Sequence, residues 1–494
     1  MNKGIGIFLR CVLLCCLLIA AQARAVALIE VNSTDGSSNF GNSCTIFLAV
    51  QSALTNTALG ACAAGDPSGN VIQFNIPGGP ATIFLKQPIH ITDDFGGLPP
   101  GLKPRAGSIA INGLNRLITF DGSQMTTFGP MFIVGSATDD STHFSRSVTF
   151  SELNFVNGRA QQGGAIFSTL GGFHRSDCAD GIPNHETGAL AIQESVFISN
   201  RATDSGGAIY IRPRVARSSP FPCAPIAQLN IRNSEFATNF ASQCGGAICS
   251  ETPNSVTVLG KALPLNGGVH VNVDSSTFFA NSVHIDGVTQ TPSGEGGAIA
   301  SRSFNKSGIQ LSVVNSTFHT NGAKEGASIS STASAPLPAG QSATFIRFST
   351  FFNNDFTPAH GYSLAESDLV NGFRVNGIAL LDSIVYDSSA TDACKFLDSA
   401  QGSMHANLGW PNPQCANGNS FDLVADPMFS QFGFNGGLTQ TYSLQTSSPA
   451  IGAADSADCS ALAPPPRDQR GMPRPAGIKC DLGAYERQAS DVDR

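Results

Sequence analysis

Residues 195–209 read SVFISNRATDSGGAI, and both halves of this stretch return along the chain at a nearly fixed spacing. A Phe followed three residues later by Asn occurs at Phe197/Asn200, Phe236/Asn239, Phe278/Asn281, Phe318/Asn321 and Phe351/Asn354. A Gly-Gly-Ala-Ile block trails it at Gly206-Gly207-Ala208-Ile209, Gly245-Gly246-Ala247-Ile248 and Gly296-Gly297-Ala298-Ile299. An earlier block begins at Gly163, and a degraded copy spans Gly326 and Ile329. From Phe155 onward, successive phenylalanines lie 33 to 42 residues apart, a period that belongs to repeat architectures.

Working outward from the block, each unit contains a run that alternates apolar and polar residues. Examples are Gln228-Leu229-Asn230-Ile231-Arg232-Asn233, Val269-His270-Val271-Asn272-Val273 and Ile309-Gln310-Leu311-Ser312-Val313. Period-two alternation predicts strands with one apolar face. No helical pattern long enough for a crossover helix lies between them, so strands of successive units can pair in parallel only by stacking coil upon coil. The glycines suit tight corners where a Cβ would clash. An Asn or Phe at one phase of the coil can stack into a ladder, with the asparagines satisfying buried backbone at a corner. Trp-Asp and Gly-His signatures of propeller blades are absent. The predicted fold is all-β: a right-handed single-stranded parallel β-helix, a solenoid that can lengthen without the size ceiling of a single compact core.

Four segments follow from the pattern: a signal peptide over 1–25, an N-terminal cap over 26–68, β-helix repeats over 69–392 and a Pro/Gly-rich closing region over 393–494. The signal reading rests on Lys3 and Arg10, the apolar run from Cys11 to Ala21, and the small residues Ala21, Ala23 and Ala25. No other apolar run is long enough to span a bilayer as a helix, so the expectation is an exported, extracellular or loosely surface-associated chain. The apolar positions Ile46, Phe47, Leu48, Val50, Ala53 and Leu54 predict a short helix over the open first coil, where a solenoid exposes its interior. From residue 392 the composition predicts a long loop wrapping the final coils.

Of 13 cysteines, Cys11, Cys15 and Cys16 fall in the signal segment, leaving an even ten in an exported protein. Disulfides are the expected use. Candidate partners are Cys44 with Cys62, Cys178 with Cys223, Cys394 with Cys415 and Cys459 with Cys480; Cys244 and Cys249 either pair locally or remain thiols. No Cys-x-x-Cys spacing points to a metal, and neither a metal nor a cofactor is expected. The chain has 13% charged residues and a net charge of −8, with an isoelectric point near 5.6. That balance argues against nucleic acid as a partner.

The C-terminal part carries several short motifs. They are Asp426-Pro427-Met428-Phe429, Asn435-Gly436-Gly437-Leu438-Thr439-Gln440, Ser448-Pro449-Ala450-Ile451-Gly452, Asp468-Gln469-Arg470-Gly471-Met472-Pro473-Arg474-Pro475 and Cys480-Asp481-Leu482-Gly483-Ala484-Tyr485-Glu486. Together they resemble the closing region of the choice-of-anchor Q family of bacterial right-handed β-helix proteins. Cys44-Thr45-Ile46-Phe47-Leu48-Ala49-Val50 is similar to the Cys-Ser/Thr-Leu-Arg-Glu-Ala-Ile motif with which members often begin, although the Arg-Glu pair is missing. The internal repeats resemble those of chlamydial polymorphic outer-membrane proteins, which act as surface adhesins. These resemblances imply a surface or secreted β-helix. The transmembrane barrel of the chlamydial proteins and the sorting helix common in the choice-of-anchor family have no counterpart after Glu486, so the expectation is a secreted or non-covalently retained chain.

Catalytic chemistry on such a scaffold would need carboxylates converging from neighbouring coils. Candidates are Asp286, Glu295, Glu325, Asp355, Glu366 and Asp368, none of them in the order that a pectin hydrolase would require. His360-Gly361 is an isolated fragment of such an order. The acidic pairs Asp93-Asp94 and Asp139-Asp140 lie far in sequence from the candidate bases Arg347 and Arg374, as solvated turn residues would. Asp468 and Arg470 read as a structural ion pair or loop anchor. No catalytic residue is therefore assigned. The expected function is non-enzymatic, adhesin-like recognition of a glycan or surface protein by a monomer, through the long loops 169–188, 212–227, 251–266 and 286–295. A polysaccharide-cleaving lyase or glycoside hydrolase, and a purely structural envelope protein, are the alternatives.

Overall fold

A computed structural model describes residues 26–38, 41–92, 107–135, 147–173, 188–213, 225–252, 256–258, 261–263, 268–284, 294–304, 308–333, 342–354, 364–366, 378–388, 394–395, 404–411, 413, 422–462 and 464–493. The signal segment, most of the four long loops, and Cys178, Cys223 and Cys415 lie outside these residues.

The chain is a parallel β-helix. Each repeat contributes one strand to each of several stacked sheets, and strands of successive repeats pair in parallel. A first sheet runs from Ala27–Val31 through Pro225–Arg232, Gly268–Asp274, Gly308–Val314 and Ser342–Arg347 to Met404–His405. A second, 11-stranded sheet carries Val196–Ile198, Glu235–Ala237, Thr277–Phe279, Thr317–His319 and Thr350–Phe352. A third, 9-stranded sheet carries Ile209–Ile211, Ile248–Glu251, Ile299–Ser303 and Ile329–Ala333, which begin at the last residue of each Gly-Gly-Ala-Ile block or its degraded copy. A narrow 4-stranded sheet links the second to the third over Arg159–Gln162 to Ser282–Val283.

Alternation decides which side chains enter the coil. In the first sheet Leu229, Ile231, Val271, Val273, Leu311 and Val313 are buried, while Asn230, Asn272 and Ser312 share an outward register. In the second sheet Phe155, Phe197, Phe236, Phe278, Phe318 and Phe351 form one internal column. Its ring centroids lie 4.6–4.9 Å apart and its planes within 10° of parallel. That interval is the spacing of hydrogen-bonded strands, so each ring stacks because its strand does. Nearer the N-terminus the column breaks into an edge-on cluster of Phe120, Phe132 and Phe150.

Glycines are required where coils approach. Gly206 adopts φ +68°, and a Cβ on Gly207 would lie 2.0 Å from the Gly246 carbonyl oxygen of the next coil. Such contact excludes any side chain at the second glycine.

The first coil is closed by a helix, α1 (Ile46–Thr55), whose residues are all buried and which packs on the strands Ala27–Val31, Asn70–Phe74 and Ile89–Thr92. Thr45 caps it by accepting from the Leu48 N–H at 3.3 Å, and Asn56 ends it in the left-handed conformation. Beyond residue 422 the chain forms an antiparallel hairpin, Phe429–Gly433 with Thr441–Leu444, and a short helix, α2 (Ser456–Ser460). This closing region reaches much further back than the final coils. It lies along the outside of the second sheet as far as Glu235, whose carboxylate accepts from Gln440 Nε2 at 2.8 Å.

Candidate binding cleft

The repeat asparagines and phenylalanines are fully buried, which removes them from contact with any ligand. Each asparagine turns a corner. Asn239 Oδ1 accepts from the backbone N–H and Nδ2 of Asn200, and Asn239 Nδ2 donates to the Phe197 carbonyl and to Asn281 Oδ1. The pattern passes through Asn281 and Asn321 to Asn354 at 2.8–3.0 Å. At the other end of the same strands runs a ladder that the sequence reading missed. Ser195, Ser234, Ser276, Ser316, Ser349 and Ser383 each accept from a neighbouring coil's backbone N–H, or donate to the carbonyl two residues before, or do both. Its signal is a Ser two residues before the Phe of each of the five Phe-x-x-Asn copies, and again two before Val385.

Cys44 bonds to Cys62, Cys244 to Cys249 and Cys459 to Cys480, and Cys394 is also disulfide-bonded. Among the acid candidates, Glu295 and Glu325 sit on adjacent coils beside the third sheet and pair as a parallel bridge. Arg302 spans Glu295 at 3.4 Å and Glu251 at 3.2 Å, and Glu251 also accepts from the Tyr210 hydroxyl at 2.7 Å. Burial, opposed by Arg302, raises the Glu295 carboxyl above its ordinary range. The backbone of Glu366 belongs to the same third sheet. Asp286, Asp355, Asp368, His360-Gly361, Asp93-Asp94, Asp139-Asp140 and Arg374 lie outside the described residues. Arg347 lies on the first sheet, away from this acidic group.

Asp468 and Arg470 form a buried ion pair at 2.9 Å. Asp468 also accepts from the backbone N–H groups of Arg470, Met472 and Glu486, while Arg470 lies 3.7 Å over the Tyr485 ring. Beside it, Arg474 pairs with Glu486 at 3.0 Å and donates to the carbonyls of Asp481 and Gly483, both side chains being wholly buried. This network stiffens the closing region, which is pinned to the solenoid through Thr277, Thr317 and Thr350.

Where that rigid segment stands beside the outer face of the first sheet, it leaves a cleft of about 810 Å³, a size that suits a ligand. The floor is the outward register of four coils: Arg232, Asn272, Ser312, Phe345 and Arg347. Residues of the closing segment, including Leu462, Pro465 and Arg467, make the wall. Asn315 joins the two by donating to the Arg467 carbonyl at 3.0 Å. Phe345 is 45% exposed, an open ring on the floor. The cleft is basic in an acidic protein: Arg232, Arg347 and Arg467 face only Asp274 once the Asp468–Arg470 pair is set aside, and Arg232 approaches Asp274 no closer than 3.6 Å. Sequence reading named Arg347 only as a base for catalysis and did not find the cleft, since its wall is supplied by residues about ninety or more positions further along the chain.

Among the described residues no helix is long and apolar enough to cross a membrane. No curated protein matches the chain. The Chlamydia polymorphic membrane protein repeat matches residues 194–212, the unit that runs from the corner before Ser195 through the Gly-Gly turn into the third sheet. The chain is thus a β-helix with a polymorphic-membrane-protein-like repeat, features that go together in proteins of the outer membrane or cell surface.

Proposed function

We propose that this is an exported surface-recognition protein of adhesin-like, non-enzymatic type, which engages a glycan or surface protein in the cleft between the first sheet and the closing region. The observation that carries the reading is the outward register Asn272, Ser312 and Phe345, which offers an amide, a hydroxyl and an open ring from coils of fixed spacing. A rigid scaffold holds such groups ready without an ordering cost. The surface setting is supported by the polymorphic-membrane-protein repeat, and the signal-like residues 1–25 support export. Membership of the choice-of-anchor Q family belongs to the same proposal: the residues of its closing motifs, Asp468, Arg470, Arg474 and Glu486, are those of the buried network that shapes the wall.

The test is retention of the purified chain on cell surfaces and on a panel of immobilised glycans, with Asn272→Ala and Phe345→Ala as variants. The expected result is binding that falls about tenfold or more in either variant; binding indifferent to both would overturn the cleft as the site. A carbohydrate-cleaving activity is the second reading, favoured by the convergence of Glu251, Glu295 and Glu325. It requires product release that Glu295→Gln abolishes.

A further inference from the structure

The cleft's charges narrow the chemistry of what it holds. Arg347 stands on the floor with its Nε buried and without a hydrogen-bond partner among the described residues, and its guanidinium forms no ion pair there. Asn315, 6% exposed, also lines the cleft with its Oδ1 unpartnered. The unpartnered Nε–H of Arg347 and the orphan amide oxygen of Asn315, both buried beneath one groove, are costly in the free protein. After small side-chain adjustments, an anionic, hydroxyl-bearing ligand would offset that cost by supplying an acceptor to the first and a donor to the second.

Arg232 and Arg347 occupy the same register column, separated by Asp274 and Val314. Three coil spacings place them about 14 Å apart along the floor. A single small anion does not bridge that distance, whereas an extended chain with repeated negative charges does. On the two coils between the arginines lie Asn272 and Ser312, which can pair with hydroxyl groups, and on the strand of Arg347 itself Phe345 offers an exposed ring to the C–H side of a sugar. A polyphosphate chain, which has neither hydroxyl groups nor a sugar-ring face, has no use for these neutral groups.

We infer that the cleft takes an acidic polysaccharide, with carboxylate or sulfate groups on Arg232, Arg347 and Arg467 and a sugar ring against Phe345. The inference rests on the proposed recognition function and names its ligand class. No bond is made or broken.

The experiment is affinity electrophoresis of the full chain in gels carrying polygalacturonate, alginate, heparin or neutral dextran, at low and at physiological salt, with Arg347→Gln, Arg232→Gln and Phe345→Ala alongside. All three side chains lie at least partly at the surface, so circular dichroism should confirm an unchanged fold. The expected result is retardation by one or more acidic gels, weaker at higher salt, absent with dextran, and reduced about tenfold or more by Arg347→Gln, in line with loss of a charge-assisted contact. The uronate and sulfate gels distinguish which anion is preferred. Retardation by dextran alone, lost in Phe345→Ala but kept in Arg347→Gln, would overturn the anionic ligand while leaving the recognition cleft intact. Retention on cells that none of the three variants alters would overturn the cleft itself. Binding to nucleic acid or an acidic protein in preference to every glycan would also overturn the inference.

Discussion

Each ladder asparagine uses its side-chain capacity inside the turn, and the consequence is specific to the amide. Asn281 Oδ1 accepts from Asn239 N and Nδ2 at 3.0 and 2.9 Å, while its Nδ2 donates to the Phe236 carbonyl and to Asn321 Oδ1 at 2.8 and 2.9 Å. Asn281→Ala strands donors on one side and acceptors on the other, all buried, and should destabilise the protein by about 3–5 kcal/mol. Asn281→Asp keeps the acceptor but turns an anion towards two oxygens, so its carboxyl should titrate well above the usual range. Its deficit should therefore be largest at neutral pH and shrink as the pH falls and the carboxyl is protonated. Chemical denaturation at pH 7 and pH 4 reads both effects, and an Asn281→Ala protein within about 1 kcal/mol of the parent would refute a structural ladder. The Phe and Asn positions could be read from sequence because every coil must present the same residue at the same phase. The serine ladder was equally periodic, but Ser is common and compatible with any turn, so its recurrence carried little contrast.

At the scale of elements, the β-helix was legible and the docking of the closing region was not. Alternation such as Val269-His270-Val271 declares a strand and its buried face locally. Nothing local declares that Gln440 will meet Glu235 or that Tyr442 will meet His319. That docking is an aromatic contact: Phe279, His319 and Phe352 stack outward on successive coils, and Phe432 and Tyr442 lie against them. The Tyr442 hydroxyl meets His319 Nδ1 at 2.6 Å, and burial lowers the His319 pKa to about 4. The ring is therefore neutral when folded and takes a proton more readily when unfolded. Its contribution is fully present above pH 6.5, and is lost as the pH falls from there through about 4. Partial exposure to solvent makes this contribution smaller than the full shift implies. His319→Gln, which can keep a hydrogen bond to Tyr442 but has no proton to gain, should lose less stability between pH 7 and pH 4 than the parent. Thermal melts at the two pH values provide the comparison, and equal losses in both proteins would show that His319 is not part of the acid response.

For the molecule as a whole, a solenoid is a one-dimensional stack in which each coil touches only its neighbours, so coils can open from an end. Here both ends are restrained, but differently. Helix α1 plugs the first coil, whereas the closing region lies lengthwise and joins Glu235, Thr277, Thr317, Thr350 and Asp382, residues of five successive coils, to one rigid body. The clamp holds only while its own core is intact, and that core is the wholly buried Arg474–Glu486 pair. Arg474→Leu leaves Glu486 buried without its cation, a loss of about 3–5 kcal/mol that falls on the closing region first. Once that region is released, the coils beneath it should open in series. Hydrogen exchange at the Asn281 and Asn321 amides should then quicken by orders of magnitude, while amides of the N-terminal coils around Phe120 and Phe155 keep their protection. Adding Glu486→Leu removes the stranded charge and should restore much of the lost protection. Uniform loss of protection in every coil of Arg474→Leu would instead mean that the β-helix unfolds as one unit, and that the closing region contributes stability without dividing the stack.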